Sequence, residues 1–231
     1  MDVVLVPGFW LGASSWDDVV PVLEAAGHVA HPLTLPGLES AGADRTGIGM
    51  ADHVAAVVRA VDGLEGPVVL VGHSGGGPVV NGAADARPDR VARLVYVDTV
   101  PRPAGLGVNP ALPVVDGEIP LPEWSFFEDE DLVDLDDDLR RRFRDRAVPM
   151  PAAVASDPQV LHDERRLAVP ATVVCCEFTG AQLRGWMAEG DEDLAELAAV
   201  ESVTYVDLPT GHWPQFTRPA DLGAVLVDAV G

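Results

Sequence analysis

The sequence predicts an α/β protein built on one open, mostly parallel β-sheet with helices on both faces. Apolar, strand-like runs alternate with segments of helical periodicity along almost the whole chain, which is typical of βα units. The strand-like runs are near-continuous Val, Leu and Tyr, as expected for parallel strands buried on both faces. With 231 residues, 48% of them hydrophobic, residues 1–231 are expected to form a single domain around one substantial core.

Strands and helices are predicted in alternation. The predicted strands are residues 2–6, 28–33, 67–71, 91–97, 170–176 and 202–207. The predicted helices are residues 16–26, 50–62, 75–86, 181–198 and 217–229. Helical spacing of apolar residues is clearest in the second helix, at Val54, Val57, Val58 and Val61.

The alternation breaks between about residues 101 and 168. Residues 101–123 are rich in Pro and Gly, and a charge-dense segment runs from Glu128 to Arg146. Apolar residues of that segment recur every three or four positions, at Leu132, Leu135, Leu139 and Phe143. This spacing predicts an amphipathic helix, and acids at 136–138 followed four residues later by arginines at 140–142 predict i,i+4 ion pairs. We expect this insertion to form a short helical lid over the strand ends.

Composition excludes several classes of partner. The formal net charge of −22 argues against nucleic acid and anionic membranes, since both select basic surfaces. All fifteen basic residues are arginine, which removes Schiff-base chemistry and the anchoring of pyridoxal phosphate. We therefore expect a small-molecule substrate and no cofactor or metal ion. The sequence gives no prediction of oligomeric state.

Cysteine usage and the first residues bear on the compartment. Cys175 and Cys176 are adjacent in a predicted strand, where successive side chains point to opposite faces, so they cannot form an ordinary disulfide. No apolar stretch approaches a membrane span, and Met1-Asp2 leads into a strand without a basic segment of the secretory type. We expect a cytoplasmic protein, and the bias toward Ala, Gly, Val, Pro, Arg and Asp suggests a bacterial one.

A candidate nucleophile follows the third predicted strand. Val68–Val71 runs into Gly72-His73-Ser74-Gly75-Gly76, which precedes a predicted helix. A serine on a strand-to-helix turn is raised above the sheet, and small neighbours allow so sharp a bend. The alternative is an ordinary glycine-rich loop in a chain with 23 glycines. The strand before Ser74 and the helix after it favour the catalytic interpretation.

A base is needed to activate Ser74 at neutral pH. Of the six histidines, His73 adjoins Ser74 and should point away from it, whereas four others lie in no motif: His28, His31, His53 and His162. His212 directly follows the last predicted strand, at the sheet edge where open parallel sheets bind ligands. The order Ser then His along the chain is that of the nucleophile-elbow hydrolases, so His212 is the candidate base.

The whole chain resembles the α/β-hydrolases, in particular the small-lid branch that contains plant methylesterases, hydroxynitrile lyases and bacterial esterase relatives. The segments that carry the resemblance are Val6–Trp10 with Gly12 and Trp16, Leu35–Gly37 before Ser40, the Ser74 turn, Val95–Asp98 and Gly211–Pro214. The resemblance implies a Ser-His-acid triad and an oxyanion hole formed by the backbone N–H groups of Phe9 and Gly75. Pro7 stands where the family often has His, which puts only a side-chain brace in doubt.

The acid of the triad has two candidates. In the family an Asp usually stands about nine residues after the proline that leads the strand following the lid, but this count from Pro170 reaches Thr179. Glu177 is near that position, and Asp98 ends the preceding strand at the same sheet edge. We favour Asp98, with Glu177 as the alternative; a turn aspartate is the plain interpretation of Asp98.

Several aromatic residues are candidates for an apolar substrate pocket, although aromatics are more often simply core. They are Trp10, Trp124, Phe126, Phe127 and Trp213. The predicted function is a serine esterase that cleaves a small neutral ester through an acyl-enzyme. The alternatives are a ligand-binding sensor on the same fold and, less favoured, a hydroxynitrile lyase, since the plant lyases that the chain resembles also use a lysine.

Overall fold

The computed structural model describes residues 1–231 and contains one large parallel sheet. Its strands are Asp2–Val6 (β1), Val29–Pro32 (β2), Val68–His73 (β3), Val91–Val97 (β4), Ala171–Cys175 (β7) and Val203–Asp207 (β8). Two short strands outside this sheet are Glu118–Ile119 (β5) and Met150–Pro151 (β6). The strand order is β2-β1-β3-β4-β7-β8, and every neighbouring pair is parallel. The predicted α/β class and parallel sheet are confirmed.

The helices are distributed along the whole chain. They are Val20–Ala25 (α1), Met50–Asp62 (α2), Gly76–Ala86 (α3), Asp137–Arg146 (α4), Ala152–Ser156 (α5), Gly180–Glu189 (α6), Ala195–Ala199 (α7), Pro214–Thr217 (α8) and Pro219–Val230 (α9). Short 3-10 turns lie at Ala13–Trp16, Pro88–Arg90, Trp124–Phe126, Glu164–Ala168 and Glu192–Leu194. None of the helices combines the length and the hydrophobicity needed to cross a membrane.

Side chains of the central strands alternate between two buried layers. In β1, Val3 and Leu5 face one layer and Val4 and Val6 face the other, and all four are fully buried. Leu23 of α1 and residues of α9 pack in the first layer, whereas residues of α2 and α3 pack in the second. Burial on both faces explains why the strands read as continuous apolar runs.

Three predicted helices are shorter than the sequence pattern indicated, and the helix predicted at 16–26 spans only Val20–Ala25. The helix predicted at 181–198 ends at Glu189, because Gly190 takes a left-handed conformation (φ 85°) and the chain resumes helical geometry only at Glu192. The amphipathic helix predicted from the leucine spacing begins at Asp137, since the Asp136 side chain accepts the Leu139 N–H and caps the first turn.

The predicted i,i+4 ion pairs of α4 do not form. Asp136 serves as the cap, and the Arg140 side chain donates to the backbone oxygen of Leu135. Arg141 pairs instead with Asp138, three residues earlier. The acid-to-base order along the helix still suits its dipole.

The insertion between β4 and β7 packs against the loop after β1. Its short strands Glu118–Ile119 (β5) and Met150–Pro151 (β6) pair antiparallel. The Trp10 indole N–H donates to the Ile119 oxygen over 3.0 Å, and the Trp10 oxygen accepts the Val148 N–H over 2.9 Å. These contacts hold the insertion over the carboxyl edge of the sheet.

A buried ion network joins the end of the insertion to two helices. Arg166 contacts Glu196 of α7 through Nε (2.7 Å) and Nη2 (3.0 Å), and Asp85 of α3 through Nη1 (3.2 Å). Asp85 also accepts the backbone N–H groups of His162 and Asp163. Because these side chains are almost completely buried, loss of one partner leaves uncompensated charge.

We predict that Arg166→Met lowers the free energy of unfolding by about 3–5 kcal/mol, since two buried carboxylates lose their cation. Urea unfolding measures the change. Arg165→Met is the matched control, because Arg165 pairs with Asp89 and Asp163 at the exposed surface, where such pairs contribute little. Equal, small effects of the two substitutions would contradict the predicted role of the buried network.

Candidate active site

Ser74 occupies a sharp turn between β3 and α3. Its φ of 49° lies in the left-handed region, which costs free energy for a residue other than glycine. The turn is held by two hydrogen bonds, from the Ser74 N–H to the Val97 oxygen (3.1 Å) and from the Gly77 N–H to the Ser74 oxygen (2.9 Å). The Ser74 turn therefore has the strand–turn–helix form of a nucleophile elbow.

Close backbone packing makes glycine necessary at position 76. A Cβ atom there would stand 2.7 Å from the backbone oxygens of both Val6 and Pro7. Neither oxygen belongs to a flexible side chain, so a larger residue would push the turn away from the β1 loop. The first turn of α3 is thus fixed directly against the residues that precede Phe9.

His212 lies in the loop after β8 and is held through four atoms. Its Nε2 is 2.7 Å from Ser74 Oγ, and its Nδ1 is 2.8 Å from Asp98 Oδ2. Its backbone N–H donates to the Asp131 oxygen (2.9 Å), and its backbone oxygen accepts from His73 Nε2 (2.7 Å). Ring and backbone of His212 are both fixed, which favours a single position of the imidazole relative to Ser74.

Asp98 is the carboxylate best placed to orient His212. It directly follows β4 with φ 48°, and its side chain is fully buried. While Oδ2 faces His212, Oδ1 accepts the backbone N–H groups of Cys176 (2.9 Å) and Glu177 (3.1 Å). Both carboxylate oxygens are therefore hydrogen-bonded, as a buried charge requires.

Glu177 is a second carboxylate near the same ring. Its Oε1 is 3.4 Å from His212 Nδ1, and its side chain is 19% exposed. Thr179, which stands at the usual position of the acid, caps α6 by accepting the Gln182 N–H. The site thus contains both of the predicted acids, with Asp98 at the shorter distance.

Burial and hydrogen bonding shift the two acids in opposite directions. Burial acts to raise the pKa of Asp98, but its hydrogen bonds to His212 and to two backbone N–H groups outweigh burial and lower that pKa. Burial raises the pKa of Glu177 to about 7, despite its contact with His212. Near neutral pH, Asp98 is therefore the fully ionised carboxylate, whereas Glu177 is partly protonated.

The His212 ring responds to both acids. Burial acts to lower the pKa of His212, but the hydrogen bond to Asp98 and the contact with Glu177 outweigh burial and raise that pKa above its usual value. The imidazolium is thus stabilised where it would form when His212 accepts a proton from Ser74.

A cavity of about 310 Å³ opens directly above Ser74. Of the predicted pocket residues, Trp10, Phe126 and Phe127 line this cavity, beside Phe9. The insertion contributes part of the wall through Val108, Asn109, Leu112 and Asp131. No arginine lines the cavity, so its charged lining groups are acids and His212.

The structure corrects the prediction for the other two pocket tryptophans. Trp124 and Trp213 do not line the cavity; their rings pack edge to face with a centroid distance of 6.1 Å. Trp213 is fully buried and also contacts Phe127 and Phe143. These two rings form the core between the insertion and the His212 loop, a role that an aromatic residue takes more often than substrate contact.

Two backbone donors adjoin Ser74. The N–H groups of Phe9 and Gly75, predicted to form an oxyanion hole, donate to no other group of the chain. Gly75 packs directly beneath the Phe9 ring, since a Cβ atom at position 75 would overlap that ring. Both residues line the cavity together with Ser74.

Asp98, Glu177 and His212 are also the one group of side chains with the donor set of a metal site. One donor atom from each lies within 4.8 Å of the others. The ring atom that faces both carboxylates is His212 Nδ1, which is also hydrogen-bonded to Asp98. A metal ion bound there would break that contact, because His212 Nδ1 cannot ligate a metal while it carries a proton.

A larger cavity of about 610 Å³ lies elsewhere, between α2, α3 and residues 157–160. Its lining contains no Ser, His or Cys, so it offers no nucleophile. Of these two cavities, only the one above Ser74 contains a hydroxyl beside a histidine.

Together, the parallel sheet, the Ser74 turn and the His212 loop define a protein of the α/β-hydrolase class. Residues 3–225 match the Alpha/beta hydrolase family, and the chain belongs to that family. The predicted resemblance to this family, including plant methylesterases and bacterial relatives, is confirmed.

Three similar proteins illustrate the relationship. A pyrethroid hydrolase of Sphingobium wenxiniae is 32% identical over 51% of this chain and 41% of its own length. Methylesterase 8 of Arabidopsis thaliana is 36% identical over 41% of this chain and 36% of its own length. The chain thus spans about two fifths of the length of these relatives. An extracellular α/β-hydrolase from a Paenibacillus species superposes with a TM-score of 0.79 over 99% of this chain and 98% of that chain, at 20% identity.

Sequence reasoning missed three groups that hold His212. They are the backbone oxygen of Asp131, the His73 ring and Gln215, whose Nε2 lies 3.2 Å from His73 Nδ1. His73 was expected only to point away from Ser74. No local pattern marks these groups, because each acts through a contact with a distant part of the chain.

We predict that the pKa of His212 lies above the ordinary histidine value of about 6.5 and falls when a neighbouring carboxylate is removed. Asp98→Asn should lower this pKa more than Glu177→Gln, because Asp98 is nearer and fully ionised. NMR titration of the histidine rings measures it. Asp129→Asn, at an exposed acid of the insertion, should leave it unchanged, and a larger fall in Glu177→Gln would make Glu177 the dominant partner.

Proposed function

We propose that this protein is a serine esterase that hydrolyses a small neutral carboxylic ester through an acyl-enzyme on Ser74. The observation that carries the proposal is the continuous hydrogen-bonded series Ser74 Oγ, His212 Nε2, His212 Nδ1 and Asp98 Oδ2, with separations of 2.7 and 2.8 Å. These are the distances required for proton transfer between a nucleophile and its base.

In the first half-reaction, His212 Nε2 accepts the proton of Ser74 as Oγ attacks the ester carbonyl carbon. The carbonyl oxygen becomes an oxyanion, and the free N–H groups of Phe9 and Gly75 are the donors available to stabilise it. His212 then gives its proton to the leaving alcohol, and the acyl group remains on Ser74.

In the second half-reaction, water takes the place of the alcohol. His212 accepts a proton from that water, which attacks the acyl-enzyme, and the acid product leaves Ser74 Oγ to regain its proton from His212. Asp98 keeps its negative charge throughout. Its role is to accept the Nδ1 proton, to hold the tautomer with Nε2 free and to stabilise the imidazolium.

Asp98 is preferred over Glu177 as the acid for two reasons. Its carboxylate is 2.8 Å from His212 Nδ1, compared with 3.4 Å for Glu177. Its lowered pKa also keeps it ionised at neutral pH, whereas burial raises the pKa of Glu177 to about 7.

The cavity lining supports a neutral substrate with an apolar or aromatic part. Phe9, Trp10, Phe126 and Phe127 provide apolar surface, and no arginine is present to pair with an anion. Relatives named as a pyrethroid hydrolase and a methylesterase are consistent with ester cleavage. A hydroxynitrile lyase is disfavoured because the chain contains no lysine.

We further propose that residues 101–168 act as a lid on this cavity. Phe126, Phe127 and Asp131 line the cavity from that segment, opposite Ser74. The exposed fraction of Phe126 is 50%, which leaves apolar surface at the mouth for a substrate to cover. Closure over a bound ester would exclude water from the oxyanion.

Ser74→Ala should abolish ester hydrolysis with the fold intact, since only the hydroxyl of the nucleophile is removed. We expect kcat to fall by about 10⁴-fold or more. Turnover of p-nitrophenyl esters, together with covalent labelling by a fluorophosphonate, measures the loss. Ser14→Ala, on an exposed turn, is the matched control and should keep activity and labelling. Near wild-type turnover by Ser74→Ala would exclude Ser74 as the nucleophile.

Asp98→Asn should lose about 10⁴-fold in kcat, because an amide favours the wrong tautomer of His212. Glu177→Gln should lose less than about tenfold. In the wild type, hydrolysis requires the neutral form of His212, so activity should be lost as pH falls through the raised pKa of His212. Glu177→Gln lowers that pKa and should therefore shift the acidic limb of the pH–rate profile to lower pH. Kinetics across pH measure both effects. The reverse ranking of the two variants would assign the acid role to Glu177.

A further inference from the structure

Two buried side chains that the proposed reaction does not use lie directly behind His212. The exposed fractions of His73, the last residue of β3, and of Gln215, in α8, are both 0%. His73 Nε2 is 2.7 Å from the His212 backbone oxygen, and His73 Nδ1 is 3.2 Å from Gln215 Nε2. Gln215, His73 and the His212 carbonyl therefore form a continuous buried series.

The His73 ring is confined from the opposite side by the β1 loop. A Cβ atom at Gly8 would stand 2.7 Å from His73 Nδ1, so the ring fits only because position 8 has no side chain. Its position is thus set by the loop that contains Phe9 and by the loop that contains His212. Movement of this ring would therefore displace both the loop that contains Phe9 and the loop that contains His212.

The protonation state of His73 follows from its surroundings. Burial, together with the nearby His212, lowers the pKa of His73 to about 3, so the ring is neutral and carries one proton. A backbone oxygen only accepts, so the contact with His212 requires the proton on Nε2. Nδ1 is then an acceptor, and the amide N–H of Gln215 is the donor that it faces.

The orientation of Gln215 matches this tautomer, at the cost of one hydrogen bond. Its Oε1 is buried and has no hydrogen-bond partner, which is costly in a protein interior. The reverse orientation would direct Oε1 at Nδ1 and favour the other tautomer, which would leave the His212 carbonyl without its donor. The amide therefore forgoes one hydrogen bond while the contact with His73 is kept.

We propose that Gln215 is a positioning residue for His212, which acts by holding the neutral His73 ring in the tautomer that donates Nε2–H to the His212 backbone oxygen. The inference rests on the proposed esterase function for its kinetic consequence, but the tautomer itself does not. Loss of the Gln215 donor lets His73 move its proton to Nδ1, and the backbone of His212 then loses one of its two anchors. A small displacement of a catalytic base costs rate even when the substrate site is unchanged.

The tautomer is tested in the wild-type protein labelled with ¹⁵N-histidine. Long-range ¹H–¹⁵N correlation spectra should show His73 neutral, with Nε2 protonated and Nδ1 unprotonated. A proton on Nδ1 would overturn the proposal. This measurement does not depend on activity. Absence of turnover and of fluorophosphonate labelling in the wild type would refute the esterase function, whereas a proton on His73 Nδ1 would overturn the role proposed for Gln215.

The kinetic test uses Gln215→Met, which keeps a side chain of similar length without a donor. We expect kcat for p-nitrophenyl ester hydrolysis to fall about 10- to 100-fold, with KM within about twofold, since Gln215 does not line the cavity. Gln159→Met is the matched control, because Gln159 is also buried and donates to the Pro78 oxygen, outside the Ser74 cavity. It should retain kcat.

Two kinetic outcomes would overturn the proposal. One is an unchanged kcat in a folded Gln215→Met protein, and the other is an equal loss in Gln159→Met, which would indicate a general effect of destabilisation. If Gln215→Met does not fold, a proton on His73 Nδ1 in the wild type would still overturn the proposal.

Discussion

The sharp turn between β3 and α3 is the constraint on which the rest of the site depends. Ser74 takes a left-handed backbone conformation there, and Gly76 touches the backbone oxygens of Val6 and Pro7. The same close packing brings the β1 loop, with its free Phe9 N–H, against the turn. Candidate nucleophile and candidate oxyanion donors are therefore fixed relative to each other by backbone contacts, which side-chain motion cannot alter.

The His212 loop is the second element that must be held, and it is held from two directions. The His212 N–H donates to the Asp131 oxygen in the insertion, and His73, at the end of β3, donates to the His212 oxygen. The insertion thus contributes both to the cavity wall and to the position of His212. Movement of the insertion near Asp131 would therefore displace His212.

The charge states of the two acids beside His212 are set by hydrogen bonding more than by burial, since Asp98 is the more deeply buried of the two. Asp98 and Glu177 both face Nδ1, but the hydrogen bonds to Asp98 from two backbone N–H groups favour its ionised form. Glu177 has no comparable donors, so burial favours its protonated form. Two similar side chains about 3 Å from the same ring thereby acquire different charge states at neutral pH.

The sequence alone determined the class of fold, the strands of the sheet, and Ser74 and His212 as the leading candidates, because apolar periodicity and the glycine-rich turn are local patterns. The position at which the family usually places its acid is occupied by Thr179, so the sequence did not identify the acid uniquely. The proximity of Asp98 to His212 depends on the pairing of β4 with β7. Trp124 and Trp213 looked like pocket residues, yet the packing of the insertion made them core. Only the tertiary structure decided these points and the hydrogen bond of His73 to His212. Contacts between residues so far apart in the chain depend on how complete elements pack, which no local pattern records.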